Sequence, residues 1–460
     1  MARLSFGKAL VAGVALLCSA APVAVQAKDA APAPAPAPVL LISIDGLRPG
    51  DVLEAEKRGL KIPNLRRFVA EGAYATGVNG NLPTVTYPSH TTLITGVAPA
   101  RHGIVSNTTF DPKQVNYGGW FWYAEDITAP TLWDVAKKAG RTTANVHWPV
   151  SVGVSTLDWN LPQIWRSGHA DDRKLLKSLS SDGLYAALEH DCGAYADGID
   201  EGITGDETRA KFAARLIETK QPQFLTVYLA ALDHEEHLFG PGSAEANAVL
   251  ERLDAAVGKM VAAERAAHPQ AVIALVSDHG FVATDTEINL FRPFLDAGLI
   301  TLGADGKVTS WDAMPWPSGG SIAVALARPD DTALMGKVSA LLDKLAATPQ
   351  ARIAEVIGRE EIARLGGNPQ AAFYVDLQAG ALAGTFAADA PLAKPARYKG
   401  MHGYFPAMPE MRSTFLIMGK GIDRGRNLGE IDMRAIAPTL AAIMGTTLPS
   451  AETQPLSLSR

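Results

Sequence analysis

Cysteine is almost missing from this chain: it has two, Cys18 and Cys192, in 460 residues. Once the N-terminal segment is removed Cys192 stands alone, which excludes an intramolecular disulfide and leaves stability to the core. Cys192 itself reads as an idle or buried thiol rather than a nucleophile. Extended positive charge is also missing. Lysine and arginine form no run longer than a pair and the formal net charge is −6, so the positive field that polymeric DNA or RNA would need is not there. Long apolar runs are the third absence. The stretch from Ala9 to Leu17 is too short to cross a bilayer.

That stretch follows Arg3 and Lys8 and leads to Val25-Gln26-Ala27, the pattern of a secretory signal peptide cut after Ala27. Cleavage takes the net charge from −6 to −8, because the segment holds two basic residues and no acid. The competing reading is a lipoprotein anchor at Cys18. Leu17 disfavours it, since a small residue is wanted before the cysteine. The expected location is periplasmic or secreted, with no transmembrane segment in the mature chain.

What remains is a globular composition, 47% hydrophobic and 20% charged. Residues 28–38 form an Ala/Pro linker, a stiff spacer without a core. Val39 to Ile44 then reads as a strand buried on both faces, as do Phe224 to Ala230 and Val272 to Val276. Each is followed closely by an acid: Asp45, Asp233 and Asp278. Helical pattern occupies Ile62–Ala70, Thr91–Thr95, Thr131–Ala139, Ala244–Ala267 and Ala435–Met444. The alternation predicts an α/β fold with a mostly parallel sheet covered by helices on both faces. One catalytic domain is expected over 39–449, with a C-terminal tail at 450–460. Residues 108–205 and 283–398 fit the alternation less well and read as insertions walling the site, the second as a small subdomain.

The chemistry lies in five pieces: Asp45-Gly46, Pro83-Thr84-Val85-Thr86-Tyr87-Pro88-Ser89-His90, Asp233-His234-Glu235-Glu236-His237, Ser277-Asp278-His279-Gly280 and Gly400-Met401-His402-Gly403. An acid or imidazole beside a strand end points into the crevice where α/β enzymes bind ligands. Three Asp and three His there make two three-residue sets for borderline-soft divalent ions such as zinc. Two such ions ~4 Å apart can hold both the attacking and the leaving oxygen of an in-line phosphoryl displacement. A threonine hydroxyl beside them becomes a usable nucleophile. Thr86 precedes a helix start at Tyr87-Pro88-Ser89, where free backbone N–H groups would face a phosphate. On composition alone Thr86 would be an N-cap; the surrounding acids and histidines argue otherwise.

These pieces, with Asp45-Gly46-Leu47-Arg48, Thr95-Gly96, His102-Gly103-Ile104-Val105-Ser106-Asn107 and Gly240-Pro241, occur in an order that resembles the nucleotide pyrophosphatase/phosphodiesterases of the alkaline phosphatase superfamily. The resemblance runs from about Val39 to Met444 and implies an alkaline-phosphatase-like fold with two zinc ions per chain. It implies that Asp45, Asp278 and His279 bind one zinc, which also meets the Thr86 oxygen. Asp233, His237 and His402 would bind the other, associated with the water that later breaks a phospho-threonine. Asn107 would hydrogen-bond a non-bridging phosphate oxygen; a neutral amide suits a diester with one negative charge. His90 and His102 are expected to support loops. His234, Glu235 and Glu236 are expected in a turn with partly exposed charge, with support of the ligands as the alternative. His147, His169, His190 and His268 are expected to be ordinary surface or core residues.

Thr86 with Tyr87-Pro88 departs from the Cys/Ser-x-Pro-x-Arg context of the sulfatases. The Lys-x-Arg pair of threonine-type monoesterases is replaced by His147-Trp148-Pro149-Val150-Ser151, close to the Trp-Pro-Gly turn of the diesterases. Arg173-Lys174 lies in an ordinary helical stretch and does not substitute for that pair. A diester or pyrophosphate is therefore the expected substrate, a small molecule, with a nucleobase against Tyr87 and the cluster Trp120-Phe121-Trp122-Tyr123; Trp122 and Tyr123 are the expected opposing rings. The same aromatics would serve as mere packing, or accept a lipid headgroup or aryl alcohol, so phospholipid and phosphonate esters stay open, as does a phosphomonoester. A phosphoglycerate mutase would carry serine and a manganese-suited set. A non-catalytic binding protein on this fold would need a broken ligand set, and none of the six ligands is missing.

Overall fold

The computed structural model describes residues 36–116, 119–164, 169–195, 201–384 and 386–459. The expected signal peptide and most of the linker lie outside these residues. The aliphatic run Val39–Ile44 is fully buried and forms an inner strand of an eight-stranded sheet. From one edge the order is Arg426–Asn427, Ala73–Tyr74, Phe415–Met418, Val272–Val276, Val39–Ile44, Phe224–Leu229, Thr143–Val146 and Trp159–Leu161. The five strands from Val272–Val276 to Trp159–Leu161 pair in parallel, while Phe415–Met418 runs antiparallel to both neighbours.

Alternation along Val39–Ile44 sends side chains to two cores. Leu40, Ile42 and Ile44 pack with Phe68, Leu216 and Leu253, from the helices Pro63–Glu71, Ile203–Lys220 and Ala244–Ala267. Val39 and Leu41 pack with Leu93, Trp133 and Leu440, from Thr86–Thr95, Leu132–Lys138 and Ile436–Ile443. Covering helices on both sides explain why these strands carry continuous apolar sequence. Register does the rest. Ile44 pairs with Leu229 and Ser43 with Val276, so the strands end level and their trailing acids emerge at one edge.

Some segments differ from the sequence reading. The helix expected at Thr91–Thr95 is the second half of Thr86–Thr95, all ten residues of which are buried. A helix buried on every side shows no apolar stripe, which hides its polar first half from periodicity. The 108–205 stretch is not wholly inserted, since it supplies Thr143–Val146 and Trp159–Leu161 to the central sheet. Nor is 450–459 a loose tail: Leu458 joins the second core, and Leu456 N–H donates to Thr439 Oγ1 at 2.8 Å.

Within 283–398 stands a separate antiparallel sheet, ordered Ala313–Ser318, Ser321–Leu326, Ala371–Leu377 and Ile353–Gly358. With the helix Thr332–Ala346 it encloses its own cluster around Val324, Val338, Leu342 and Val375. The stretch departs from and rejoins the main fold through Val282–Ala283 and Gly400–Met401, which pair antiparallel. Among the described residues no helix is long and apolar enough to cross a membrane.

Candidate active site and metal centre

Asp45 follows its strand directly, Asp278 and His279 follow Val272–Val276, and Asp233 and His237 lie one turn apart on the helix Ala231–Phe239. His402 arrives from the far end of the 283–398 stretch, just after Gly400–Met401. Their ligand atoms fall into two sets, Asp45/Asp278/His279 and Asp233/His237/His402, and within each set they lie within 4.8 Å of one another. The His279 and His402 rings stack across the two sets, with centroids 3.7 Å apart and planes 12° apart.

The hydrogen bonds of the three histidines settle which nitrogen faces the cluster. His237 Nδ1 lies 2.9 Å from Gly400 O, His402 Nδ1 3.2 Å from Thr84 O and His279 Nδ1 3.2 Å from Gly280 O. A carbonyl only accepts, so each Nδ1 carries the proton and each Nε2 presents a lone pair inward. His279 Nε2 points to Asp45 Oδ1 at 3.3 Å and Asp278 Oδ2 at 3.2 Å; His237 Nε2 lies 3.3 Å from Asp233 Oδ2. One oxygen of each acid, Asp45 Oδ1, Asp233 Oδ1 and Asp278 Oδ2, is buried without a hydrogen-bond donor. Three inward imidazole nitrogens and three carboxylate oxygens without a hydrogen-bond partner make two sets of donor atoms suited to divalent cations. Burial, with Asp278 and Asp233 close by, pushes Asp45 well above the usual carboxylate range. Burial first, and then Asp233, pushes Asp278 up to about 7. Two divalent ions would remove that penalty.

Thr86 is the first residue of its helix, not the N-cap; that position is Val85, in extended conformation with φ −128° and no side-chain cap. Thr86 Oγ1 lies 3.4 Å from His279 Nε2. Tyr87 N–H donates to Asn107 Oδ1 at 2.9 Å, which fixes the amide orientation and leaves Asn107 Nδ2 for the cavity that both residues line. His90 donates from Nδ1 to Thr86 O at 2.8 Å and accepts at Nε2 from Ser43 Oγ at 2.8 Å. His102 bonds Thr92 Oγ1 at 3.0 Å and accepts from Ile104 N–H at 3.2 Å. Both imidazoles have their nitrogens engaged, and burial lowers each to about 3, so they are neutral props of the Thr86 helix.

Glu236 differs from the expectation. Residues 234–236 are helical, and Glu236 is buried beside Arg48, whose Nη2 is 3.4 Å from Oε1. The Asp233–His237 spacing is the i,i+4 spacing of a helix, and its interior side faces the Arg48/Asp51 network rather than water. His234 does sit at the rim, 3.3 Å from Glu201 Oε2. His147 is buried and stacked on Tyr228, and Tyr228 OH donates to Asp45 Oδ2. Sequence reasoning misses Tyr228; its phenol faces the site because it precedes the strand end by one residue.

The cavity over the cluster measures about 640 Å³. Tyr87 borders it, but against expectation its ring is 1% exposed and packs with Ile104 and Val150; Trp120, which also lines the cavity, lies 5.2 Å from that ring by centroids and is tilted 60°. Trp122 and Tyr123 are not among the lining residues. Trp122 packs against the first core, and Tyr123 is 48% exposed beside Val152. Gln163, Glu201, Arg397 and Tyr398 complete the polar wall. Arg397 is the one arginine or lysine among the described lining residues.

A family profile described as type I phosphodiesterase / nucleotide pyrophosphatase matches residues 39–405. Among curated proteins, an uncharacterised pyrophosphatase/phosphodiesterase of Schizosaccharomyces pombe is 27% identical over 258 residues, 54% of this chain and 45% of that protein. Human ectonucleotide pyrophosphatase/phosphodiesterase family member 1 is 25% identical over 252 residues, 52% of this chain and 23% of that protein. The matches thus span less than half the length of these relatives. Among solved structures, human ectonucleotide pyrophosphatase/phosphodiesterase 5 superposes with a TM-score of 0.64 at 19% identity, covering 91% of this chain and 97% of that one. The murine protein 5, as an inactive threonine-to-alanine variant in complex with AMP, gives 0.64 at 20% identity, with 92% and 97% covered. The fold is alkaline-phosphatase-like, as in these neighbours. With the profile spanning the strand-end acids, the Thr86 helix and His402 alike, the chain belongs to the type I phosphodiesterase/nucleotide pyrophosphatase family.

Proposed function

We propose that this chain is a two-zinc phosphodiesterase/nucleotide pyrophosphatase that works through a covalent phospho-threonine at Thr86 and is exported by a cleaved signal peptide to the periplasm or beyond. The observation that carries this is the convergence of three Nε2 lone pairs and three donorless carboxylate oxygens beside one hydroxyl. Asp45, Asp278 and His279 would hold one zinc beside Thr86; Asp233, His237 and His402 would hold the other. When bound, the ions supply Lewis-acid charge that lowers the pKa of a coordinated hydroxyl and counters charge on the attacking and leaving oxygens.

The chain's own residues do the rest. Thr86 Oγ1 displaces the leaving alcohol or phosphate from phosphorus, and in the net balance its proton departs on that group. Water then displaces Thr86 Oγ1 and restores the hydroxyl. Asn107 Nδ2 and the Thr86 N–H offer neutral donors to the non-bridging oxygens, since Tyr87 N–H is taken by Asn107 Oδ1 and Ser89 N–H by Val85 O. Trp120 supplies the nucleobase wall in place of Trp122 and Tyr123, with the buried Tyr87 ring packed behind it. Arg397 offers one positive charge for a phosphate beyond the reacting one, which favours a phosphoanhydride or a nucleotide over a bare monoester. A murine structural neighbour whose inactive form carries a threonine-to-alanine change and binds AMP supports the reading.

The test is kcat/KM of the zinc-loaded mature protein on a nucleotide aryl diester, a bis-aryl phosphate and an aryl monoester. The nucleotide diester should lead both. Thr86→Ala should lose ~10³-fold or more in turnover while elemental analysis still finds two zinc equivalents. Full turnover by that variant would remove Thr86 from the reaction, and a leading monoester would make the protein a phosphatase.

A further inference from the structure

Beside the catalytic cavity lies a second one of about 310 Å³, within the size range of small-molecule sites. Thr108, next in chain to Asn107, and Pro317 line both cavities. The two spaces therefore share a wall a few bonds from the amide that faces the phosphoryl group. Phe110, Trp316 and Phe386 give the second cavity its aromatic surface, with the Phe110 and Trp316 rings 5.0 Å apart.

Charge narrows the occupant. No lysine or arginine is among the described lining residues, so a phosphate or carboxylate would enter without a countercharge. The one lining acid, Asp111, is engaged: its oxygens accept from Val115 N–H at 2.9 Å and Asn116 N–H at 2.6 Å. Gln114 and Asn116 bring side-chain amides, each both donor and acceptor. The Nε1–H of Trp316 is buried without an acceptor. Apolar ring faces edged by neutral amides are the chemistry that recognises a planar, uncharged heteroaromatic ring.

We infer that this second cavity is a subsite for an uncharged, nucleobase-like ring on the second substituent of the diester. The inference rests on the phosphodiesterase reading and goes beyond it. One ring of the substrate meets Trp120; the other, across the phosphoryl group, meets Phe110, Trp316 and Phe386.

The experiment uses a dinucleoside phosphodiester and its two abasic counterparts, each lacking one base but keeping the same alcohols on phosphorus. Each lost ring should lower kcat/KM about ten-fold or more, mainly through KM. In Phe386→Ala, the penalty for one of the two abasic substrates should collapse toward one-fold while the other persists. Gln114→Ala, at the exposed rim where folding is not at stake, should shrink the same penalty by about three-fold. If both penalties keep their wild-type size in both variants, the subsite is wrong. It is equally wrong if the wild type cleaves all three substrates at equal kcat/KM, because cleavage then stands without a second ring site. Should the wild type cleave none of them, the phosphodiesterase reading itself falls and the subsite with it.

Discussion

Asp206 offers the sharpest test of how the ligand helix is held. It lies in the first turn of Ile203–Lys220 and is fully buried. Its Oδ1 accepts from Ala230 N–H at 3.1 Å and its Oδ2 from Ala231 N–H at 2.7 Å. Those N–H groups open the helix Ala231–Phe239, which has no side-chain cap of its own and carries Asp233 and His237. Asp206 thus caps, from another helix, the element that presents two of the three residues in the second ligand set, and its charge suits the positive helix end. It also pairs with buried Arg209, Nη1 to Oδ1, at 2.9 Å. Asp206→Ala strips two backbone donors of their acceptor, ~1–3 kcal/mol each. It also breaks a buried ion pair, worth ~3–5 kcal/mol. Because one carboxylate serves all three, the effects overlap and a total of ~4–6 kcal/mol is expected. Urea unfolding of the metal-loaded protein reads the loss. A zinc titration should show the Asp233/His237/His402 set weakened ~10-fold or more and the other set much less. Asp206→Asn, which keeps one acceptor oxygen, should recover part of both. A stability loss below ~1 kcal/mol, with both zinc affinities unchanged, would refute the capping role.

Two further outcomes follow from other sites. Burial pushes Asp376 up to about 7, only partly offset by the hydrogen bond it accepts from Phe405 N–H at 3.0 Å. Its raised value means that stability is full below the ordinary carboxylate value and is lost as pH climbs to about 7. Asp376→Asn should therefore gain on the wild type between pH 4 and pH 8, with a ceiling of ~4 kcal/mol in parallel urea titrations; a pH-independent difference would mean that Asp376 titrates normally. Gly403 has φ +89°, and a Cβ there would meet Ser318 O at 1.9 Å, whereas Gly421, φ +78°, has nothing within 4 Å. Gly403→Ala should cost ~2–5 kcal/mol and displace neighbouring His402, while Gly421→Ala costs ~1–2 kcal/mol from backbone strain alone; equal losses by thermal melting would discount the clash.

The buried parallel strands were legible because burial on both faces demands unbroken aliphatic sequence, and the acids after Ile44, Leu229 and Val276 were legible because strand ends are where such runs stop. Thr143–Val146 escaped for the opposite reason. Its Thr-Ala-Asn-Val sequence is as buried as the others but packs two polar side chains, Asn145 bonding Asn160 at 2.9 Å and Thr226 Oγ1 at 2.9 Å. Glu236 was misplaced because a run of five charged or ionisable residues reads as solvated until its partner Arg48 is seen, far away in the chain. The aromatic wall failed on backbone direction. Trp120 and Trp122 would share a face in a continuous strand, but no strand runs through 120–123, where Trp120 bridges Thr108 and Tyr123 bridges Val152 as isolated pairs. Which histidine nitrogen faces inward depends on carbonyls of Gly280, Thr84 and Gly400, and main-chain acceptors leave no mark in side-chain sequence.

The paired strands Val282–Ala283 and Gly400–Met401 bring the two ends of the 283–398 stretch side by side, with Met401 opposite Val282. A piece of chain that leaves and returns through one such doorway imposes almost no length requirement on what it encloses. The Ala313–Ser318 sheet and its cluster can lengthen, shrink or be replaced wholesale while His279 and His402 keep their stacked places on either side of the threshold. Pro317 and Arg397 belong to this exchangeable portion, whereas Thr86 and the strand-end acids do not. Part of the cavity wall thus stands on a segment whose size is unconstrained by its doorway, while Thr86 and the strand-end acids stand on the frame around it.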